Sequence, residues 1–147
     1  MNEAVQAIID ANSYMTLATA DEHGRPWASP VWFATVDYLE LIWVSSPEAR
    51  HSRNLAVRPE LAIAIFDSRQ APGTGEAVYI SARGSEVSEP DLDRCLGIYS
   101  TISQREGLAA WNRSDVEPPA RLRLYSATAD EHFMLTGTDE RRPVVLA

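Results

Sequence analysis

The densest concentration of chemistry-bearing side chains lies in SSPEARHSRNL, residues 45–55, where Arg50, His51 and Arg53 fall close together. All 13 residues counted as Lys or Arg are Arg, because the chain contains no Lys. On a helix Arg50, Arg53 and Asn54 stand at i, i+3 and i+4 and share one face, with His51 alongside and Ser45 and Ser46 at the cap. Guanidinium forks beside hydroxyl and amide donors at a helix start are suited to a phosphate group. Two arginines on a short helix also occur as a plain solvated face, paired here with Glu48 or Glu60, so spacing alone leaves both readings open.

A second feature is RPWASPVWF, residues 25–33, an extended run in which Trp27 and Trp32 alternate with Pro26 and Pro30. Alternate side chains of such a strand can flank a planar ring while its backbone amides face it; the same tryptophans can equally pack as barrel core or subunit interface. Pro26 and Pro30 donate no ladder hydrogen bond, so the strand belongs at a sheet edge or where the sheet opens. Together the two features suit a phosphorylated, planar ligand.

The elements that must carry these residues are short and closely spaced. Residues 3–11 read as an amphipathic helix capped by Asn2, and YMTLATA (14–20) as a strand joined through the DEHG turn to the Trp-Pro strand. LELIWVS (39–45) is expected to pair with that strand as a meander. Ser46 as N-cap, Pro47 in the first turn and Glu48 at the positive end of the dipole predict a helix beginning there and ending near Val57, before Pro59. LAIAIFD (61–67) reads as a central strand, SRQAPGTGE as a loop and AVYISARGSEVS as a strand. A second helix opens at Glu89 and Pro90 and ends by Gly107, with a further helical turn possible in LAAWN. RLRLYSATA, HFMLTG and RRPVVLA read as three short closing strands. The order predicts one α+β domain over residues 1–147, a mainly antiparallel barrel with short helices at its openings.

Composition narrows the function classes. At 147 residues, 45% hydrophobic and 23% charged, the chain is expected to fold as one soluble globular domain. A net charge of -8 argues against a nucleic-acid partner, which requires a broad basic face. Cys95 is alone and the three histidines, His23, His51 and His132, lack metal-site spacing, so neither a disulfide nor a metal centre is expected. No Ser-His-Asp or Cys-His set is legible, no catalytic side chain is assigned, and His23 and His132 read as turn or surface residues. MNEAVQAIID carries acids where a secretory signal carries bases, and no apolar run approaches the roughly 20 residues that span a bilayer, so no membrane association and a cytoplasmic location are expected.

Residues 15–67, with LAT…DEHGRP…SPVWF, WVSS, RHSRNL and RPELAIAIFD in order, resemble the pyridoxamine 5'-phosphate oxidase-like family of flavin-binding split barrels. That resemblance implies a six-stranded antiparallel split barrel, a homodimer with cofactor sites at the subunit interface, FMN as the usual ligand and a small organic substrate. By position, Arg50 and His51 match the family's phosphate-holding Arg-Lys pair, supported by Ser45, Ser46, Arg53 and Asn54. Ser29, Pro30, Val31 and Trp32 match the strand edging the flavin ring, and Tyr79 is expected to reach the same site. True pyridoxamine 5'-phosphate oxidases carry R-x-x-L-L-K on the ring-edging strand; ASPVWF has neither base and ERRPVVLA is not their substrate-closing arm, so conversion of that vitamin is not expected. His in place of Lys predicts a clamp whose charge fades above pH ~6.5. The resemblance thus implies an FMN-dependent oxidoreductase. Relatives also use an 8-hydroxy-5-deazaflavin coenzyme, for whose acidic tail Arg58 and Arg69 are candidates, and a non-enzymatic flavin or haem binder is the remaining alternative.

Overall fold

Three patterns in the chain build the molecule: strands with alternating burial, two short helices that plug the space those strands enclose, and one longer helix laid outside. The computed structural model describes residues 2–135 and 140–145. Helix α1 (Glu3–Ala11) starts where the Asn2 side chain accepts the Val5 N–H at 3.2 Å, and buries Val5 and Ile9. Strands β1 (Tyr14–Ala20) and β2 (Pro26–Trp32) form the expected hairpin, with Ala18 opposite Ala28 and Thr19 opposite Trp27. Then follow β3 (Glu40–Ser45), α2 (Arg50–Val57), β4 (Glu60–Phe66), β5 (Ala77–Glu86), α3 (Glu89–Arg105), a 3-10 turn at Arg113–Asp115, β6 (Arg123–Leu135) and β7 (Arg141–Val144).

The strand order is β2-β1-β4-β5-β6-β3, with β7 also on β6, and every pairing is antiparallel. β2 therefore lies at the end of the ladder, as its prolines require. A two-way backbone bridge between Ala34 and Ile42, 2.9 Å in each direction, joins the β2 side to β3 and nearly closes the sheet. This is the split barrel of the expected α+β class.

Met15 and Leu17 of β1, Ile63 and Ile65 of β4 and Val78 and Ile80 of β5 fill the interior with Trp43, while Val5 and Ile9 of α1 and Leu55 of α2 complete it. The period of two delivers these residues to one face. α3 instead covers the outside of β3 and β6, where Leu92, Cys95, Leu96 and Tyr99 pack on Ile42 and Leu124. One of the three helices thus lies on the wall rather than at an opening.

Three expectations change. β3 pairs along its length with β6, from Glu40–Thr128 to Ser45–Arg123, and meets the β2 side only at the Ala34–Ile42 bridge. RLRLYSATA and HFMLTG are one strand: between Ser81–Glu131 and Ala82–Ala129 the register shifts, and the extra residue, Asp130, is taken up as a bulge. LAAWN adds no helical turn. The ends of the expected strands at residues 136–137 and 146–147 lie outside the described residues.

Candidate functional site

α2 begins at Arg50 with Ala49 as N-cap, three residues after the expected cap at Ser46. Ser46-Pro47-Glu48-Ala49 closes a turn of its own, in which the Ser46 hydroxyl accepts the Glu48 N–H at 3.1 Å and its carbonyl accepts that of Ala49. Ser46 thus serves its local turn. The helix ends at Arg58, extended at φ -145 ahead of Pro59.

Arg50, Arg53 and Asn54 do share a face, and it forms one wall of a groove of about 350 Å³. The other wall is the β1–β2 turn, with Asp21, Glu22, Arg25 and Pro26, and Val57 completes the lining. The turn is fastened to α2 by Arg58, whose guanidinium donates to the Asp21 and Glu22 carbonyls at 3.1 and 3.5 Å. Asp21 Oδ1 accepts the backbone N–H groups of His23 and Arg25 at 2.8 and 2.9 Å; these bonds, the Arg25 one foremost, hold its carboxyl below the usual range. Among the described residues no carboxylate forms an ion pair with Arg25, Arg50 or Arg53, whereas Arg83, Arg94 and Arg113 are all so paired.

Beneath the helix, Asn54 Nδ2 donates to Thr19 Oγ1 at 3.0 Å, and both residues are buried. Above it, the Arg50 guanidinium lies 4.2 Å from the centre of the Trp27 ring. Trp27 is 42% exposed, so it is not barrel core.

His51 lies elsewhere. One position beyond Arg50 on the helix, it turns inward, is 7% exposed, and shares a 2.8 Å hydrogen bond between its Nε2 and the hydroxyl of Ser45, itself 8% exposed. Burial pushes its pKa below the usual histidine value, so the ring is neutral at pH 7 and adds no cation to the groove. Neither His51 nor Ser45 lines the groove. The residues of the expected Arg-His clamp are thus parted, Arg50 lining the groove and His51 sitting in a buried pair with Ser45.

Along β2, Ser29 is half-buried on the Trp27 side, Val31 enters the core and Pro30 is exposed on the outer face. Trp32 leaves the site: its indole N–H donates to Glu106 at 3.0 Å and its ring meets Tyr99 edge-on at 5.1 Å. Tyr79 pairs with Ala64 and Phe133 on the outer sheet face under the Arg141 guanidinium, away from the groove in this chain. Arg69 pairs with Asp67 in an exposed loop, and Arg58 is spent on the turn. Nor is His132 a surface residue: it is 4% exposed, its Nε2–H donates to the Tyr38 carbonyl at 2.9 Å, and burial holds its pKa low.

Sequence reasoning missed Arg25, which folding of the hairpin onto α2 brings to the groove; no local spacing announces it. Among the described residues no cluster of metal-ligating side chains occurs.

The family model for pyridoxamine 5'-phosphate oxidase matches residues 1–132. The chain belongs to that family. A pyridoxine/pyridoxamine 5'-phosphate oxidase of Mannheimia succiniciproducens is 30% identical over 89 residues, 58% of this chain and 42% of the relative. The match therefore spans less than half of that relative's length. Among solved structures, a haem-binding protein from Mycobacterium smegmatis superposes with TM-score 0.77 and 18% identity over 98% of this chain and 57% of its own. An FAD-binding protein from Mesorhizobium loti gives 0.67 and 15%, covering 91% of this chain and 94% of its own. At such identities these two neighbours speak for the fold of the family.

Proposed function

We propose that this family member is a flavin-dependent oxidoreductase that holds the phosphate of FMN in the Arg25–Arg50–Arg53 groove and acts on a small organic substrate. The observation that carries the reading is a groove on which Arg25, Arg50 and Arg53 outnumber the two carboxylates, Asp21 and Glu22, and form no ion pair among the described residues, in a chain with net charge -8. Unpaired cations gathered on an acidic molecule are suited to an anion, and guanidinium forks bind phosphate oxygens two at a time. Family membership and the FAD-binding neighbour support flavin as the phosphorylated ligand.

When bound, the flavin supplies the hydride chemistry. The chain's own part is to neutralise the phosphate through Arg50 and Arg53 and to anchor α2 through Asn54 and Thr19. The exposed edge of β2, at Ser29 and Pro30, offers backbone and side-chain contacts to the ring. Tyr79 joins the site only if a second copy of the chain brings it there, which makes a homodimer part of the proposal. Oxidation of pyridoxamine 5'-phosphate itself is not part of it, since β2 carries no base between Pro26 and Trp32.

Haem finds less support, because two of the three histidines, His51 and His132, are buried with Nε2 engaged. The deazaflavin coenzyme finds less as well, Arg58 and Arg69 being committed elsewhere.

The test is titration with FMN and riboflavin, followed by quenching of flavin fluorescence. FMN should bind more tightly, and Arg50→Ala should weaken FMN about 10- to 100-fold, as expected for a charge-assisted hydrogen bond, while leaving riboflavin nearly unchanged. Equal losses for the two ligands would remove Arg50 from the phosphate. A Soret band in protein purified without added cofactor would redirect the assignment to haem.

A further inference from the structure

Trp27 belongs to neither of the two apolar clusters. Its side chain falls on the interior side of β2, opposite Thr19, but at the open end of the barrel, beyond the apolar core. Almost half of a large aromatic surface is therefore left in solvent, and the ring's charged neighbour is Arg50, 4.2 Å from its centroid. That separation is well inside the roughly 6 Å over which an aromatic face attracts a cation.

The backbone of the same residue is tied to the same helix. Thr19 Oγ1 receives the Asn54 amide at 3.0 Å and donates to the Trp27 carbonyl at 3.5 Å. Arg50 and Asn54 are one helical turn apart, so a single strand residue registers two successive turns of α2, one through its ring and one through its carbonyl. A guanidinium whose carbon lies over a ring still has N–H groups at its edge to offer an anion. Among the described residues, neither Arg25 nor Arg53 lies over an aromatic ring as Arg50 does.

From this geometry we infer that Trp27 is the positioning residue of the anion groove: it holds the Arg50 fork in one plane, so that the fork meets an incoming phosphate already oriented. The inference rests on the reading of the groove as a phosphate site and names what makes Arg50, rather than Arg53 or Arg25, its dominant ligand. Free arginine side chains lose rotamer freedom on binding, and a stacked one has lost it beforehand.

The experiment is a double-mutant cycle of Trp27→Leu with Arg50→Ala, read as the affinities of FMN and riboflavin, with Trp27→Phe as the conservative variant and thermal midpoints recorded for each. Trp27→Leu should raise the Kd for FMN about three- to tenfold and leave riboflavin unchanged. Trp27→Phe should recover most of the loss, and in the Arg50→Ala background Trp27→Leu should cost nothing more. Equal losses for both flavins, no loss, tighter FMN binding, or a full loss persisting without Arg50 would each overturn the inference. If Trp27→Leu fails to fold, the cycle is run with Trp27→Phe, whose weaker ring face should raise the FMN Kd by a smaller factor that vanishes without Arg50. A wild-type protein that binds FMN no better than riboflavin would sink the groove reading itself, and this inference with it.

Discussion

At the scale of single residues, one helical step separates a cation from a neutral pin. Arg50 faces the groove and His51 faces the interior, so the two neighbours answer to different physics. The folded-state pKa of His51 is lowered by burial, and that of His132 likewise. A histidine whose folded pKa is depressed contributes stability that is complete above its unfolded value of about 6.5 and is lost as pH falls toward the folded value. The thermal midpoint should therefore decline between pH 7 and pH 5. His51→Ala should cost about 1–3 kcal/mol at pH 7, since it strands the buried Ser45 hydroxyl, and should make the acid-side decline shallower. For a chain of this size each kcal/mol moves the midpoint by about 2–4 °C, well within calorimetric reach. The same placement makes the preference for FMN over riboflavin at pH 8 at least as large as at pH 6, because arginines do not titrate there and the phosphate's second ionisation is complete. A preference that fades above pH 6.5 would return His51 to the groove.

At the scale of elements, what decides the site is how the β1–β2 hairpin meets α2. Gly24 makes that meeting possible: its φ of +80 closes the turn and sets Arg25 against the helix. A Cβ at Gly24 touches nothing within 4 Å, so the cost of Gly24→Ala is purely conformational, about 1 kcal/mol. Gly97, in the middle of α3, also has open space around it but helical geometry, so Gly97→Ala should stabilise by about 0.5–1 kcal/mol. Urea unfolding of the pair should show opposite signs, and Gly24→Ala alone should also weaken FMN. The hairpin, β4, α1 and α3 were legible in the sequence because each is specified by local periodicity, a cap or a proline. The partner of β3 was not, since pairing with β6 depends on contacts remote in sequence. Nor was the unity of β6, whose Asp130 and Glu131 read as a break and are absorbed as a bulge. Within the site, the helical period was enough to group Arg50, Arg53 and Asn54. It did not part His51 from them, because the period alone does not say which side of a two-turn helix the barrel will cover.

At the scale of the whole molecule, one broad sheet surface carries no helix among the described residues. α3 shields β3 and β6, but the outer face of β2, β1, β4 and β5 presents Ala28, Ala18, Ala62 and Ser81 in one cross-strand row and Pro30, Thr16, Ala64 and Tyr79 in the next. Tyr14, at 61%, and Phe66, at 50% exposure, flank these small side chains. A flat surface of small and apolar residues is unusual on a monomer. Edge-to-edge growth through β2 is opposed by Pro26 and Pro30, which leaves face-to-face contact as the route to association. A second copy seated there would place its Tyr79 beyond its own chain, which is the arrangement the proposed flavin site needs. Ala62→Arg, at the centre of the face, puts a charge in that contact without touching the interior or the arginine groove. The wild type should sediment at about 33 kDa, twice the 16.3 kDa chain, and the variant as the single chain with an unchanged thermal midpoint at low concentration. If the site is shared, the variant should lose affinity for FMN and riboflavin together, in contrast to Arg50→Ala, which acts on FMN alone. A wild type that sediments as a single chain and still binds flavin tightly would show that the groove and β2 are sufficient within one copy.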